Sequence, residues 1–319
     1  MILKIIPKEI YEKVKEKKID INHGINLFFK LVEDSNDFKT RKESLELLNV
    51  LNLKSLKFFK FLESLITTDS DNRIRKVSID LIGKIYPYKS FELMKWALQY
   101  ERNYYCIVSI IQIISYLKTK ESKKILVDLL KKILSMKFID RNQSFKTEGF
   151  RKSLQEKLNK NELKYWDSDQ LVEIIINFKT ISHLLRKFYY VFFKWENGMI
   201  IELDLSELGW NVSRSWRINY ANRLGSLDEI DGLYNLKRLK ILNLTNNRID
   251  NVKQLKKLPH LTHLYLTNNK MDDIKNIIYL KELKNLELID LRGNGIANYI
   301  KSDDFKPTRV ILKSCLYFL

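Results

Sequence analysis

Little in this chain interrupts a helix: of 319 residues only 9 are glycine and 4 are proline. That scarcity excludes collagen-like and loop-rich folds and favours helical and repeat architecture. Cysteine is nearly absent. Cys106 and Cys315 lie far apart in apolar settings, which excludes a disulfide framework and predicts buried free thiols in a reducing compartment. Long apolar runs are missing too. The longest, Ile107 to Leu117, is too short and too interrupted to span a bilayer. Charges break the apolar start MILKIIPKEI, so no signal peptide is visible and a cytoplasmic protein with no membrane association is expected.

Catalytic and metal signatures are equally sparse. None of the four histidines, His23, His183, His260 and His263, is followed by glutamate. His260 and His263 straddle a turn and a strand, a poor geometry for a metal. There is no glycine-rich phosphate loop, and Gly293-Asn294-Gly295 reads as a repeat corner. No GxSxG or local Cys-His arrangement occurs. The expectation is a protein with no catalytic residues, cofactor or metal.

What the chain does have is charge, and unevenly. Residues 199–319 hold 19 Lys+Arg against 14 Asp+Glu, while the first 198 hold 38 against 25. An anionic partner such as nucleic acid for residues 1–198 is therefore one reading. Most lysines occur singly on amphipathic helices, however, in a sequence also rich in isoleucine and asparagine. The preferred reading is a solvated face.

Three C-terminal stretches are the strongest pattern: LKILNLTNNRI, LTHLYLTNNKM and LELIDLRGNGI, with asparagines at Asn247, Asn269 and Asn294, spaced 22 and 25 residues apart. Alternate leucines of each short strand point inward, and the asparagine satisfies backbone groups where the chain turns away. Period and pattern both match a leucine-rich repeat. The frame in LYNLKRLKILNLTNNRI and LKELKNLELIDLRGNGI resembles the short class exemplified by the regulatory subunit of type-one protein phosphatase, over about Ile200–Ile296. That resemblance implies fold far more than function, although regulation of a phosphatase or other signalling enzyme is among its implications. Between Gly209 and Tyr220 the pattern degenerates, which predicts an inserted or distorted unit. It resumes at Asn222, with Leu224, Leu227, Ile230, Leu233 and Leu236 leading into Leu239.

Earlier in the chain the period is longer. RKESLELL is matched 34 residues later, Arg41 by Arg75, Ser44 by Ser78, and Leu47 and Leu48 by Leu81 and Ile82. KSFELM and ESKKIL match at 32, Ser90 over Ser122 and Leu93 over Ile125. Two helices per unit at this period predict an α-solenoid. In DNRIRKVSIDLIGKIY the apolar face is Ile74, Val77, Leu81, Ile82 and Ile85. LITTDSDNRIRKVSIDLIGKI resembles HEAT-like repeats of the short kind, over roughly Asp37–Ser135. The resemblance implies that Asp71 caps the second helix and that Arg75 and Arg73 belong to a hydrogen-bond ladder between repeats. Tyr104–Leu117 lacks the arginine. One or two capping helices, broken near Asp20–Gly24, precede the solenoid, and Ser144–Lys160 and Ser168–Arg186 follow as a helical bridge. Trp96 and Trp166 read as helix-core packing.

Between the two patterns lies KFYYVFFKWENGMIIELDLSEL. Aromatic and β-branched residues flank Asn197-Gly198, a dipeptide suited to a tight hairpin turn. The hairpin is read as an N-terminal cap on the leucine-rich core, with Phe188, Tyr189, Tyr190, Phe192, Phe193 and Trp195 as packing. The whole is an α+β repeat protein: residues 1–186 a HEAT-like helical domain with capping and bridging helices, residues 187–319 a leucine-rich domain with its hairpin cap.

Counting outward positions from the motif gives the concave face: Glu202, Asp204, Ser206 and Glu207; Ile241, Asn243, Thr245 and Asn246; His263, Tyr265, Thr267 and Asn268; Leu288, Asp290 and Arg292. With four acids against one arginine, this face is not built for nucleic acid. Ile241, Tyr265 and Leu288 form a diagonal apolar line suited to a protein partner. A non-enzymatic adaptor is therefore expected, with Glu202, Asp204, Ile241, Asn243, Thr245, His263, Tyr265, Leu288, Asp290 and Arg292 binding the partner.

Overall fold

A computed structural model describes residues 6–51, 54–135, 144–160, 165–188, 191–206 and 223–313. The chain divides into two compact units, Met1–Leu129 with Asp167–Val172, and Leu130–Trp166 with Glu173–Leu319. Helices fill the first part of the sequence: α1 (Pro7–Lys15), α2 (Ile21–Asp34), α3 (Phe38–Val50), α4 (Leu56–Thr68), α5 (Asn72–Ile85), α6 (Phe91–Tyr100), α7 (Tyr104–Tyr116), α8 (Lys120–Ser135), α9 (Ser144–Asn159) and α10 (Ser168–Lys187). The break near Asp20–Gly24 falls earlier than expected. Asp20 caps α2 by accepting from the Asn22 and His23 amides, which leaves Gly24 inside that helix.

The same device opens successive helices. Asp37 caps α3, Asp71 caps α5 and Asn103 caps α7, each through its side-chain oxygen and an N–H of the first turn. Two arginines 34 residues apart then repeat one contact. Arg41 pairs with Asp69, and Arg75 pairs with Glu101, its Nε donating to Oε2 at 2.8 Å. Each arginine also reaches a carbonyl, Arg41 that of Val32 at 2.6 Å and Arg75 that of Asp69 at 2.8 Å. Burial pushes the Glu101 carboxyl up, but Arg75 and the amides of Asn103 and Arg102 outweigh it and hold it below its ordinary value. Arg73 instead folds back onto Asp71 of its own turn, at 2.8 Å, and stacks over the Phe38 ring.

Helix α5 is buried more widely than one stripe. Ile74, Ile79, Leu81 and Ile82 are inside, while Val77 and Ile85 are only half-buried. It contacts α3, α4 and α7, so residues on either side of the stripe meet a neighbour. A Cβ on Gly83 would stand 2.4 Å from Ile113 Cδ1, so the absence of a side chain lets α5 and α7 approach. Cys106 is buried, its thiol pushed up to about 12 by burial. Cys315 lies outside the described residues.

In the second unit a six-stranded sheet runs in sequence order: β1 (Phe192–Glu196), β2 (Met199–Asp204), β3 (Ile241–Asn243), β4 (His263–Tyr265), β5 (Leu288–Asp290) and β6 (Arg309–Ile311). β1 and β2 are antiparallel and every later pair is parallel. The hairpin turn has φ of 51° at Asn197 and 82° at Gly198, the paired positive values of the expected turn type. β2 pairs directly with β3, so no strand stands between them. The expectation of a distorted unit at 209–220, and the resumption at Asn222, lie outside the described residues. Leu224, Leu227, Ile230, Leu233, Leu236 and Leu239 are all buried as the pattern requires.

Two stacked rows make the core, Leu203, Leu242, Leu264 and Ile289, then Leu205, Leu244, Leu266 and Leu291, all at 0% exposure. Connections return through short 3₁₀ turns and, between β4 and β5, through α11 (Lys275–Lys281). Below the rows runs the asparagine ladder. The Asn269 amide donates to the Leu244 and Leu266 carbonyls, both at 2.9 Å, and Asn247 and Asn294 repeat the bridge one unit either side. Asn276 adds a bridge between Asp250 and Val252 that no motif announces.

The core-side aromatics of the hairpin meet helices. Phe150 of α9 lies 5.3 Å from Trp195 and 5.6 Å from Phe178 of α10, ring centre to ring centre, and Phe193 is buried beside them. A Cβ on Gly198 would meet Leu154 at 2.9 Å. Phe192 departs from the expected packing role: it is 46% exposed on the opposite face. Tyr189 and Tyr190 lie outside the described residues. From α10, Glu173 pairs with Arg238, and His183 and Lys187 with Asp231. The sequence alone places the joint at 186/187, where helical periodicity gives way to alternation. Packing instead joins α9 and the later part of α10 to the sheet.

Candidate functional site

Strand register decides which side chains share the sheet's outer face. Glu202, Ile241, His263 and Leu288 stand in one row across β2 to β5, and Asp204, Asn243, Tyr265 and Asp290 in the next. Adjacent strands are about 4.8 Å apart, so each row is continuous. Beyond the strand ends, Thr245 and Arg292 take up equivalent places. The ten residues singled out on the sequence therefore do come together on one face.

The register also extends both rows beyond those residues. Lys194 pairs opposite Glu202 and Phe192 opposite Asp204 on β1, while Arg309 and Ile311 of β6 pair with Leu288 and Asp290. The signal was present in the alternation of FFKWE and in the short run RVI. Neither stretch carries the leucine motif, so neither was assigned to the face.

These additions change the electrostatics. Lys194 holds Glu202 at 2.7 Å. Asp290 is not a free acid: it is 2% exposed, and Arg292 grips it with Nη2 to Oδ2 at 2.6 Å and Nε to Oδ1 at 2.9 Å. Burial pushes the Asp290 carboxyl up, and Arg292 overrides this to leave it below the ordinary aspartate value. Among the described residues the two rows with their flank hold Glu202, Asp204 and Asp290 against Lys194, Arg292 and Arg309, a balance rather than the expected acid surplus. Glu207 lies outside the described residues.

Several polar members have a local task. Asp204 Oδ1 accepts from the Ser206 amide at 2.8 Å, and Asn243 Oδ1 from that of Thr245 at 3.0 Å. Asp290 does the same for Arg292 at 3.2 Å. These side chains shape the turns that end their strands. At the equivalent position β4 carries Tyr265, half-buried and spared that task. Where the chain leaves the sheet, Asn246 and Asn268 take φ of 59° and 54°, and Gly293 takes 71°. A Cβ on Gly293 would sit 2.1 Å from Asn268 Oδ1, so a side chain there would push the Asn268 amide aside.

The face thus offers half-buried apolar groups, Ile241, Tyr265 and Leu288, among the ion pairs of Lys194 with Glu202 and of Arg292 with Asp290. Surfaces of this composition bind by excluding water around a few anchors. Among the described residues no group of three or more His, Cys, Asp or Glu comes together to hold a metal, and no helix is long and apolar enough to cross a membrane.

No curated protein and no solved structure matches the chain. A family model described as "Leucine-rich repeat" matches residues 217–312, the stretch holding β3 to β6 and the asparagine ladder. Repeat core, strand register and family match agree, and this part of the chain is a leucine-rich repeat.

Proposed function

We propose that the protein is a non-enzymatic adaptor that captures a protein partner on the sheet face running from Phe192 and Lys194 to Arg309 and Ile311. One observation carries the reading: Tyr265 replaces, on β4, the turn-shaping side chains of Asp204, Asn243 and Asp290, which places an aromatic mid-face, one row over from the Ile241, His263 and Leu288 row, rather than on a straight line with Ile241 and Leu288. Central aromatics with apolar neighbours and a charged rim are the usual energetic focus of a protein interface. We read the helical unit as a HEAT-like solenoid that gives the adaptor its second surface, and the protein as cytoplasmic. The recurrence of Arg41 with Asp69 and of Arg75 with Glu101 supports the solenoid reading.

Binding of nucleic acid through the basic helical half is the weaker reading. Along α3 to α6 four of the lysines are already engaged: Lys42 with Glu46, Lys60 with Glu63, Lys76 with Asp80 and Lys95 with Glu121. A phosphate backbone needs cations free to neutralise it.

Affinity capture from cells followed by mass spectrometry tests the adaptor reading when wild type is compared with Ile241→Ser/Tyr265→Ser. Loss of specific polypeptides from the variant, with its melting temperature unchanged, is the expected result. An identical set of captured proteins contradicts it.

A further inference from the structure

The charges of the sheet face are unequally satisfied. Glu202 is neutralised by Lys194 at 2.7 Å and Asp290 by Arg292 at 2.6 Å. Asp204 is half-buried, and its Oδ1 already accepts the Ser206 amide. Arg309 differs from all of these. It is exposed, and among the described residues no carboxylate pairs with it, that of Glu287 at the start of β5 included. Lys313, two residues past Ile311, is likewise exposed and without an acidic partner among the described residues.

Register gives this unmatched charge apolar neighbours. Arg309 stands opposite Leu288 and Ile311 opposite Asp290, with Tyr265 opposite Asp290 from the other side. Leu288, Ile311 and Tyr265 are each half-buried. A guanidinium takes a carboxylate through two parallel hydrogen bonds, so the matching segment carries Asp or Glu next to apolar side chains. A basic segment would meet Arg309 and Lys313 and find Glu202 and Asp290 already neutralised. A nucleic acid needs several cations along its backbone. Inward of Arg309, however, the row continues with Leu288, His263 and Ile241 and ends at the acid Glu202.

We propose that the face takes an acidic and apolar segment of a partner protein, its Asp or Glu paired with Arg309 and its apolar side chains on Leu288, Ile311 and Tyr265. The proposal rests on the adaptor reading of this face and names the chemistry of its partner.

A phage-displayed library of random dodecapeptides, selected on the full-length chain, tests it. Enriched peptides should carry Asp or Glu beside apolar residues. The best of them, labelled for fluorescence anisotropy, should bind Arg309→Ala about tenfold more weakly, and Tyr265→Ser should lose it. Arg309→Glu should also lose it and recover binding when the peptide's acid is changed to Lys, a rescue that a merely structural role of Arg309 would not give. Peptides that depend on Tyr265 but show no acid preference, or that bind Arg309→Glu unchanged, overturn the proposal and leave the face a binding surface. Peptides indifferent to both residues overturn the adaptor reading of the face as well. An empty selection overturns the proposal alone, with the adaptor reading still judged by capture from cells. Displacement of the peptide by oligothymidine, or a dimer that Arg309→Glu dissociates, assigns Arg309 to a nucleic acid or to a second copy and overturns it too.

Discussion

Asn177, on α10, accepts the backbone N–H of Ile200 on β2 at 2.9 Å, with the asparagine and Ile200 both fully buried. Its amide donates back to the Glu173 carbonyl at 2.8 Å. A helix side chain thus satisfies a strand amide at the start of the sheet, where no earlier repeat exists to do so. Asn177→Leu would leave that amide unpaired in an apolar setting. A loss of about 1–3 kcal/mol is expected, read as a lower urea midpoint; an unchanged midpoint would mean that the helix does not hold the strand.

The ladder makes a parallel demand. Asn269→Ala removes two bonds to carbonyls and the acceptor for the Ile249 amide, 2.9 Å away. All these groups are inside, so the expected destabilisation is again about 1–3 kcal/mol. Thermal unfolding followed by circular dichroism measures it.

Among the ion pairs of the helical unit, burial separates the important from the incidental. Glu101 is 8% exposed, whereas the Lys42 and Glu46 side chains are 45% and 56% exposed. Arg75→Ala strands a carboxylate and should destabilise by about 3–5 kcal/mol. Lys42→Ala should change stability by less than about 1 kcal/mol. Equal effects in chemical unfolding would refute the distinction.

The depressed carboxyls of Glu101 and Asp290 give a pH dependence of definite sign. Both have folded-state values below the ordinary 4.5 and 3.8, so their contribution is complete above those values and is lost as pH falls through the lower, folded ones. The unfolding midpoint should therefore decline below about pH 4.5. In Arg75→Ala, where Glu101 loses the partner that holds it ionised, this acid decline should be shallower.

The leucine rows, asparagine ladder and hairpin were legible because each rests on local periodicity: alternation for Leu203 and Leu205, turn chemistry for Asn197 and Gly198. The Asp71 cap was legible through the helical-repeat resemblance, whereas the matching cap by Asp37 was not read. Asn177, Asn276 and the partners of Asp290 were not, since their roles depend on what lies opposite in space. Lys194 and Arg309 show the consequence for the site. Motif counting did not assign the flanking strands to the face, and so gave it an acid surplus that register reduces by adding Lys194 and Arg309. Trp96, which is 42% exposed, was misjudged because helical spacing reports which residues share a stripe, not whether another helix covers it.

The most direct measurement of the central claim is site-specific photocrosslinking in cells. A benzoylphenylalanine in place of Tyr265 stands mid-face, and the same group in place of Lys256, which is exposed on the 3₁₀ connection between β3 and β4, serves as the control. A discrete polypeptide adduct from position 265 and none from 256 is the predicted result. No adduct at 265, or the same adducts from both positions, would contradict the assignment of this face as the partner-binding surface.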